Sequence, residues 1–464
     1  MRLQSPFHVL CFCGLLSACA SVGPDYRAPA PVVPTDWHAS PVGTSRTASL
    51  AGWWRQFDDP VLSGLIEAAL IHSPDLRTAQ ARLREARART GLADAAQYPS
   101  VDNALGAKRT EAAGSGAAVD SYSIGFDASW EIDLFGGLRR GAEAARATEE
   151  SAGAAVGDAQ VTLAAEVARL YIDLRAQQMR LQIARDNLAS QHETSQLTRW
   201  RAQAGLVTEL DVVQARSTLE STRARIPVLE SAEESDLNKL AVLVGQPRGE
   251  IDKRCGPATR IPATPPALGV AIPAETLRQR PDIRVAERKL AAQTASVGVA
   301  TAAQYPSFKL SGSIGLAALT TDALLRTDAA SSSLLAGLTT PIFDAGRIRQ
   351  NIKIQNALQE QALIAYEKSV AQALADVESA LVALAKSRER VASLNVASDT
   401  ARQAAQLAQH RYAAGLIDYV TLQDTQRSLL TAEDSRASAE GEQATALVQL
   451  YKSLGGGFGE ATTP

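Results

Sequence analysis

The sequence predicts a mainly α-helical chain that is internally duplicated and carries about four β-strands of the kind that cross a membrane. Three observations lead to this fold class. Short motifs recur in the same order 207 to 210 residues apart. Two stretches of roughly 60 residues contain no proline and place apolar residues at heptad spacing. One segment, Ser121 to Leu134, alternates strictly between apolar and polar residues.

Composition, charge and hydropathy argue against three broad classes of protein. The 464 residues include 47 Lys+Arg and 50 Asp+Glu, and the net charge of −3 argues against a nucleic-acid-binding protein, which usually presents a basic surface. Hydrophobic residues make up 45% of the chain, so wholesale disorder is not expected. No run of about 18 apolar residues occurs, which excludes a helical membrane protein.

The chain begins with an export signal. Arg2 precedes a short apolar stretch from Phe7 to Leu16, which is too short to span a bilayer. It ends in Leu16-Ser17-Ala18-Cys19, which resembles a bacterial lipoprotein signal in which the cysteine is lipidated and becomes the mature N-terminus. Ala20 follows in place of Asp, so this resemblance implies the outer membrane as the destination. The alternative is an ordinary signal peptide with an incidental cysteine.

Residues 20–48 are rich in Pro, Ala, Ser and Thr, and they predict an extended tether between the lipid and the folded body. Cys255 is the single cysteine left after the signal and Cys19, so the mature chain can form no internal disulfide. Cys255 is either a reactive thiol or a small residue packed in a Pro- and Gly-containing loop. Its surroundings favour the second alternative.

The body of the chain is an internal duplication. The motif Gln-Tyr-Pro-Ser occurs at Gln97 and again, identically, at Gln304. Three further motifs recur in the same order: Ser73-Pro74-Asp75-Leu76-Arg77 as Arg280-Pro281-Asp282-Ile283-Arg284, Asp133-Leu134-Phe135-Gly136-Gly137 as Pro341-Ile342-Phe343-Asp344-Ala345-Gly346, and Arg201-Ala202-Gln203-Ala204-Gly205-Leu206 as Arg411-Tyr412-Ala413-Ala414-Gly415-Leu416. Each half of the chain therefore has about 200 residues and the same order of elements.

Each half is predicted to contain a helix, two strands and two long helices. The first helix covers 73–96, with Pro74 in its first turn, and Tyr98-Pro99 ends it. Strands are predicted at 121–134, at 308–316 and, more weakly, at 100–110 and 333–343, with loops at 111–120 and 319–333. The long heptad stretches 138–200 and 346–409 end at Gly205 and Gly415, and a second long helix follows each, to about Gly245 and Gly455.

Four strands cannot form a closed barrel, because about eight are the minimum, and open strand edges are not tolerated in lipid. Helices near 90 Å long with narrow apolar seams also cannot be buried within one protomer. The sequence therefore predicts an oligomer that pools its strands into a β-barrel in the outer membrane and its helices into a bundle below it.

Several motifs resemble the TolC-like outer-membrane factor family, in its NodT-type lipoprotein branch, and the similarity covers nearly all of the mature chain. The motifs are Val22-Gly23-Pro24-Asp25-Tyr26 with Pro29, Trp53-Trp54-Arg55-Gln56-Phe57 with Asp59-Pro60, Pro74-Asp75-Leu76-Arg77, Pro341-Ile342-Phe343-Asp344-Ala345-Gly346-Arg347 and Leu450-Tyr451-Lys452-Ser453-Leu454-Gly455-Gly456-Gly457. The resemblance implies a homotrimer with a 12-strand β-barrel and a 12-helix periplasmic α-barrel. It also implies the exit duct of a tripartite pump, which passes small molecules such as drugs or other toxic compounds. The partners would be a periplasmic adaptor and an inner-membrane pump of the proton-driven RND type.

This organisation assigns every part of the chain to a region. The regions are a signal peptide (1–18), a lipid-anchored tether (19–48), an equatorial region (49–71, 247–280 and 454–464), β-barrel strands and loops (97–135 and 303–343) and the periplasmic α-barrel (72–96, 136–246, 281–302 and 344–453).

The resemblance also assigns a periplasmic gate to the two turns at Gly205 and Gly415. The residues of this chain that match the family's gate positions are Asp211, Arg411, Tyr412, Val420 and Asp424. Val420 and Asp424 are four residues apart, so they share one helix face, and three copies of Asp424 would form an acidic ring that favours cations. The alternatives are that Asp424 pairs with Arg427 and that Arg411 is a solvated charge at a helix end. Thr421 stands where some members have a second acidic ring, so block by cations is expected to be weaker here.

Enzymatic chemistry has little support in the sequence. The four histidines of the mature chain are scattered without metal-ligand spacing, and no phosphate-binding loop or nucleophile elbow is present. We expect no cofactor other than the covalent lipid on Cys19. Two alternatives to the efflux duct stay open: a type I protein-secretion duct, and a lipid-anchored coiled-coil tether without a pore. The amphipathic strand at 121–134 argues against the tether.

Overall fold

A computed structural model describes residues 21–31, 33–38, 50–111, 118–257, 260–265 and 273–457. The predicted signal peptide, Cys19 and much of the predicted tether lie outside these residues. A short 3-10 helix at Leu50–Phe57 precedes the helices α1 (Pro60–His72), α2 (Pro74–Ala95), α3 (Gly137–Gln203), α4 (Glu209–Arg223), α5 (Ile226–Val244), α6 (Arg248–Cys255), α7 (Pro273–Gln279), α8 (Pro281–Ala302), α9 (Arg347–Ala413) and α10 (Tyr419–Ser453). The strands are β1 (Ser100–Glu111), β2 (Ala118–Ile132), β3 (Ser307–Ala318) and β4 (Ala330–Thr339). No helix of the described segments combines the length and the apolar character needed to cross a membrane.

The duplication is visible in the lengths of matching elements. Helices α2 and α8 have 22 residues each, and α3 and α9 have 67 each. The predicted first helix, the four strands and the two long heptad helices are confirmed. The prediction of one unbroken helix from the first turn to Gly245 is wrong, because α4 ends at Arg223 and α5 begins at Ile226. Pro227 lacks the N–H that would bond to the carbonyl of Arg223, whereas Ala437 occupies the matching position in the unbroken α10.

Contacts within the chain divide it into two compact units. The first unit comprises Met1–Pro31, Ala81–Ala154 and Arg284–Lys368, and the second comprises Val32–Gln80, Ala155–Ile283 and Ser369–Pro464.

The first unit holds a four-stranded antiparallel sheet in the order β1-β2-β3-β4. The β2–β3 pair joins the two halves of the duplication. Its register sets apolar residues against apolar residues on one face, as in the pairs Ile124–Leu316, Phe126–Ile314 and Trp130–Leu310. The intervening pairs are small or polar, so the alternation predicted for β2 is confirmed. Gly125 pairs with Gly315. A Cβ atom on Gly315 would lie only 2.4 Å from the carbonyl oxygen of Ile124, so the two strands can approach this closely only with glycine there.

A short N-terminal segment, Ser21 to Tyr26, also packs within the first unit. The amide of Val22 donates to the Phe135 carbonyl at 3.1 Å, and Arg140 binds Asp25 at 2.7 Å. Gly23 lies so close to Gly298 that a Cβ atom on Gly23 would come within 2.5 Å of the Gly298 Cα. The first residues of the predicted tether therefore make specific contacts with the folded body, and the tether as a whole stays a prediction.

The second unit holds the main hydrophobic core. Trp53, fully buried, stacks on Tyr451 with ring centroids 5.0 Å apart and packs edge-on against Trp54 and Phe57. Asp59 caps the N-terminus of α1 and accepts a hydrogen bond from the Tyr171 hydroxyl at 3.0 Å. Cys255 is buried in the same core, and burial raises the pKa of its thiol, so the packed-residue interpretation fits its surroundings.

A cluster of charges borders a cavity of about 90 Å³ in the second unit. Buried Arg280 donates to both carboxylate oxygens of Asp282, at 3.0 and 2.7 Å, and to the Ser453 carbonyl at 2.8 Å. Asp376 lies 3.6 Å from the same guanidinium. Burial raises the pKa of Asp158, and Asp282 raises it further, while Lys452 and Arg280 oppose the shift. Arg280 is therefore the buried cation that acts on three carboxylates: those of Asp282, Asp376 and Asp158.

Candidate functional site

The two predicted gate turns, α3 to α4 and α9 to α10, are built alike. Gly205 and Gly415 follow the long helices with φ values of +73° and +75°, which glycine adopts without strain. The amide of Leu206 bonds back to the Arg201 carbonyl at 2.8 Å, and Leu416 to the Arg411 carbonyl at 2.9 Å. Each long helix thus ends in a Schellman motif, which satisfies its last carbonyl groups.

The helices that follow the two turns begin with side-chain caps. Thr208 and Asp211 form a capping box: the Asp211 carboxylate accepts from the Thr208 amide at 2.9 Å and from its hydroxyl at 2.8 Å. At the second turn Asp418 accepts from the Thr421 amide at 2.9 Å, and bonds from Thr421 lower the pKa of Asp418. The predicted gate residue Asp211 therefore fixes the start of α4.

Tyr412 is the one predicted gate residue that is buried. Its hydroxyl lies 2.8 Å from the Thr198 hydroxyl, and its ring packs edge-on against Tyr419 with centroids 6.3 Å apart. The Arg201 guanidinium lies 4.6 Å from the centre of the Tyr412 ring and also donates to the Tyr412 carbonyl. These contacts tie the end of α3 to the second turn, so Tyr412 is a structural centre of the helix ends.

Three of the other predicted gate residues lie outside this cluster. Val420 and Asp424 are exposed on one face of α10, and the side chain of Arg411 is exposed at the end of α9. The Asp424 carboxylate lies 3.9 Å from the Arg427 guanidinium, and both side chains are 67% exposed. An ion pair so exposed contributes at most about 1 kcal/mol to stability. The pairing with Arg427 exists, yet it leaves the Asp424 carboxylate accessible.

Sequence reasoning missed three residues of this site: Thr198, Arg201 and Tyr419. Burial raises the pKa of the Tyr419 hydroxyl, and Tyr412 and Asp211 raise it further, while a hydrogen bond with Thr218 opposes the shift. The signal for Arg201 was present, because the duplication matches it to Arg411. The two arginines are equivalent in sequence, but Arg201 is engaged within the chain while Arg411 faces outward.

We expect Arg201→Ala to loosen the second turn by about 1.5–3 kcal/mol, because a charge-assisted hydrogen bond and a cation–π contact are lost together. Hydrogen exchange of the amides at 412–416 should become roughly tenfold faster or more. Arg199→Ala, at an exposed neighbouring position, is the matched control and should leave exchange unchanged. Equal exchange in both variants would show that Arg201 does not hold the turn.

Comparisons with known proteins agree over nearly the whole chain. Residues 65–246 and 272–456 match the family model described as outer membrane efflux protein. The chain is 34% identical to the pyoverdine export outer membrane protein OpmQ of Pseudomonas aeruginosa, with 96% of each chain covered. It is 31% identical to nodulation protein T of Rhizobium leguminosarum bv. trifolii, covering 98% of this chain and 97% of that protein. A solved structure of the outer-membrane channel OprN superposes with a TM-score of 0.88 at 39% identity, over 95% of this chain and 100% of that one.

Proposed function

The chain belongs to the outer membrane efflux protein family, and from that premise we propose that it is the exit duct of a tripartite efflux system, gated at the turns at Gly205 and Gly415. Its fold is that of the protomer of a trimeric outer-membrane channel, and its location is the outer membrane. The family is one of channels and not of enzymes. The proposal adds passive transport of small molecules, a periplasmic adaptor, an RND-type inner-membrane pump and a lipid on Cys19.

The sheet of the first unit is the observation that carries the proposal of a duct. One face presents paired apolar residues, while the opposite face carries Ser, Gly and Asp residues, among them Asp102 paired with Asp127. Strand β1 is exposed along its whole length, and β4 along nearly all of it. Copies that join these edges would present apolar residues to lipid and polar residues to a water-filled passage.

The proposed gate uses the exposed face at the second turn. Threefold symmetry would bring three Asp424 carboxylates and three Val420 side chains together at a constriction. Close carboxylates attract cations and resist simultaneous ionisation. The Tyr412–Tyr419 contact and the hydrogen bond between Gln426 and Thr194 tie α3, α9 and α10 together, so opening would move these helix ends as one body. Arg411, exposed in the protomer, is free to bond to a neighbouring copy when the gate is closed.

Single-channel conductance of the purified lipidated protein in planar bilayers tests this proposal. The wild type should show a small, cation-selective conductance, and Asp424→Ala combined with Arg411→Ser should raise it at least severalfold. The control is Glu389→Ala with Lys386→Ser, which removes one charge of each sign from an exposed ion pair on α9 away from the turn. If a folded trimer of neither the wild type nor the gate variant conducts, the duct proposal fails. A rise in the control equal to that in the gate variant would place the gate elsewhere.

A further inference from the structure

The charged side chains around the cavity of the second unit do not balance one another. Five charged residues line this cavity: the acids Asp158, Asp282 and Asp376 and the bases Arg280 and Lys452. Asp158 lies on α3, Asp376 on α9 and Lys452 on α10, while Arg280 and Asp282 flank the first residue of α8. Three carboxylates therefore share two cations, and one negative charge is left over when every group is ionised.

Two of the three carboxylates have donors that stabilise their ionised form. The Arg280 guanidinium donates to both oxygens of Asp282, at 3.0 and 2.7 Å, and lies 3.6 Å from Asp376. Asp282 also accepts from the Ile283 amide at 3.0 Å, and Asp376 accepts from the Gln372 side chain at 2.8 Å. A carboxylate with several donors holds its negative charge at low energy.

Asp158 is the carboxylate without such donors. No residue of the described segments donates a hydrogen bond to it, and its own helix α3 carries no other charge within one turn. Burial disfavours its ionised form and raises its pKa, and Asp282 adds to this rise, whereas Lys452 and Arg280 act against it. A proton on Asp158 is therefore the simplest way to remove the excess negative charge of the cavity.

The duplication does not repeat this group of charges. The counterpart of Arg280 in the first repeat is Ser73, and the counterpart of Asp158 on α9 is Lys368. Ser73 is buried, and its hydroxyl has no hydrogen-bond partner within the described part of the chain, while Lys368 is exposed. A packing requirement shared by the two repeats therefore does not explain why these five charged residues meet.

We propose that Asp158 is a proton-binding site that makes the packing of α3 against the start of α8 and the end of α10 depend on pH. We call this packing the acid contact. With a proton, Asp158 is neutral and can donate a hydrogen bond to a facing carboxylate. Without the proton, it repels Asp282 and Asp376, and the acid contact loosens. Asp158 is only partly buried, so water can deliver and remove the proton.

The acid contact should be strongest in acid. A group whose pKa is higher in the folded chain than in the unfolded chain binds a proton on folding, so its stabilising effect is present at low pH and lost as pH rises through the folded-state pKa. The consequence for transport rests on the proposed function: the helical wall of the duct would be held more firmly in acid than at neutral pH. The proton site itself does not depend on that function.

Hydrogen exchange of the full-length protein in lipid nanodiscs tests the acid contact. After correction for the intrinsic pH dependence of exchange, the amides at 155–162 should open roughly threefold more often, or more, at about pH 7.5 than at about pH 4.5. Asp158→Asn is uncharged at both pH values, so the same amides should open equally often at both. Asp186→Asn, at an exposed position of the same helix, is the matched control and should behave like the wild type. Wild-type opening that is independent of pH would overturn the proposal.

Infrared titration of the same proteins locates the proton. The carbonyl band of a protonated carboxyl group should titrate above the ordinary aspartate pKa of 3.8 in the wild type, and Asp158→Asn should lack this component. Lys452→Met removes a cation that opposes the rise in pKa, so the midpoint should move to higher pH. A wild-type spectrum that matches Asp158→Asn at every pH, or a midpoint that Lys452→Met leaves unchanged or lowers, would refute the proton site. Neither measurement involves conductance, so failure of the acid contact and failure of the duct proposal are distinguishable.

Discussion

Trp53→Ala is expected to destabilise the second unit by about 3–5 kcal/mol, because it deletes a fully buried indole and leaves a cavity that rigid neighbours cannot fill. The stack on Tyr451 and the edge contacts with Trp54 and Phe57 are lost together. A domain of this size loses about 2–4 °C per kcal/mol, so its melting temperature in detergent should fall by roughly 6–20 °C. Near-ultraviolet circular dichroism during heating measures the transition.

Trp200→Ala is the matched control for this prediction. Trp200 is 62% exposed at the end of α3, and truncation of an exposed side chain usually changes stability by less than about 0.5 kcal/mol. Similar melting temperatures for the two variants would contradict the assignment of the main core to the Trp53 cluster.

Arg280→Met is expected to cost about 3–5 kcal/mol near neutral pH, since it removes one partner of a buried ion-pair cluster and leaves Asp282 and Asp376 facing each other without their cation. The Ser453 carbonyl also loses its donor. Arg278→Met, at an exposed neighbouring position, removes the same charge and should have little effect. Urea unfolding followed by circular dichroism compares the two variants.

The loss in Arg280→Met should depend on pH in a defined direction. Burial already raises the pKa of Asp158 above its ordinary value of 3.8, and Arg280 is one of the charges that oppose this rise. Without Arg280 the folded-state pKa rises further, so the folded chain prefers the protonated carboxyl. Stability of the variant should therefore be lost as pH rises through that pKa and recovered as pH falls below it. A loss that is independent of pH between 4 and 8 (roughly the range where such a carboxyl titrates) would contradict this account.

Much of the fold could be predicted because its signals are local or repeated. The heptad spacing that predicted 138–200 and 346–409 is visible along the chain, and the helices found extend it by only a few residues, to Gly137–Gln203 and Arg347–Ala413. Strand β4 was harder to place: it runs over Ala330–Thr339, so it begins three residues and ends four residues earlier than the predicted segment 333–343. Its serine-rich start carries little alternation, and its position follows from pairing with β3. The break before α5 could have been predicted from Pro227, because proline cannot donate a backbone hydrogen bond within a continuous helix.

The candidate site was less accessible to sequence reasoning, because the environment of a side chain depends on neighbouring helices. Arg201 and Arg411 occupy matching positions of the repeated motif, so their positions alone do not distinguish them. The difference arises because Tyr412 follows Arg411 while Ala202 follows Arg201, so one aromatic ring is available and Arg201 packs on it. The assignment of Asp211, Arg411, Tyr412, Val420 and Asp424 to a gate stays a prediction that conductance can test.

If Cys19 carries the proposed lipid, the contacts of Val22, Gly23 and Asp25 would restrict how far that lipid can move from the first unit. A flexible tether of about 30 residues would let an anchor wander some 30 Å from the body. Only two peptide units separate Cys19 from Ser21, which limits the reach of a lipid there to about 7 Å. Acyl chains on Cys19 would thus enter the bilayer close to the segment that bonds to Phe135. The lipid would then hold this part of the first unit near the membrane surface, with little freedom to move away from it.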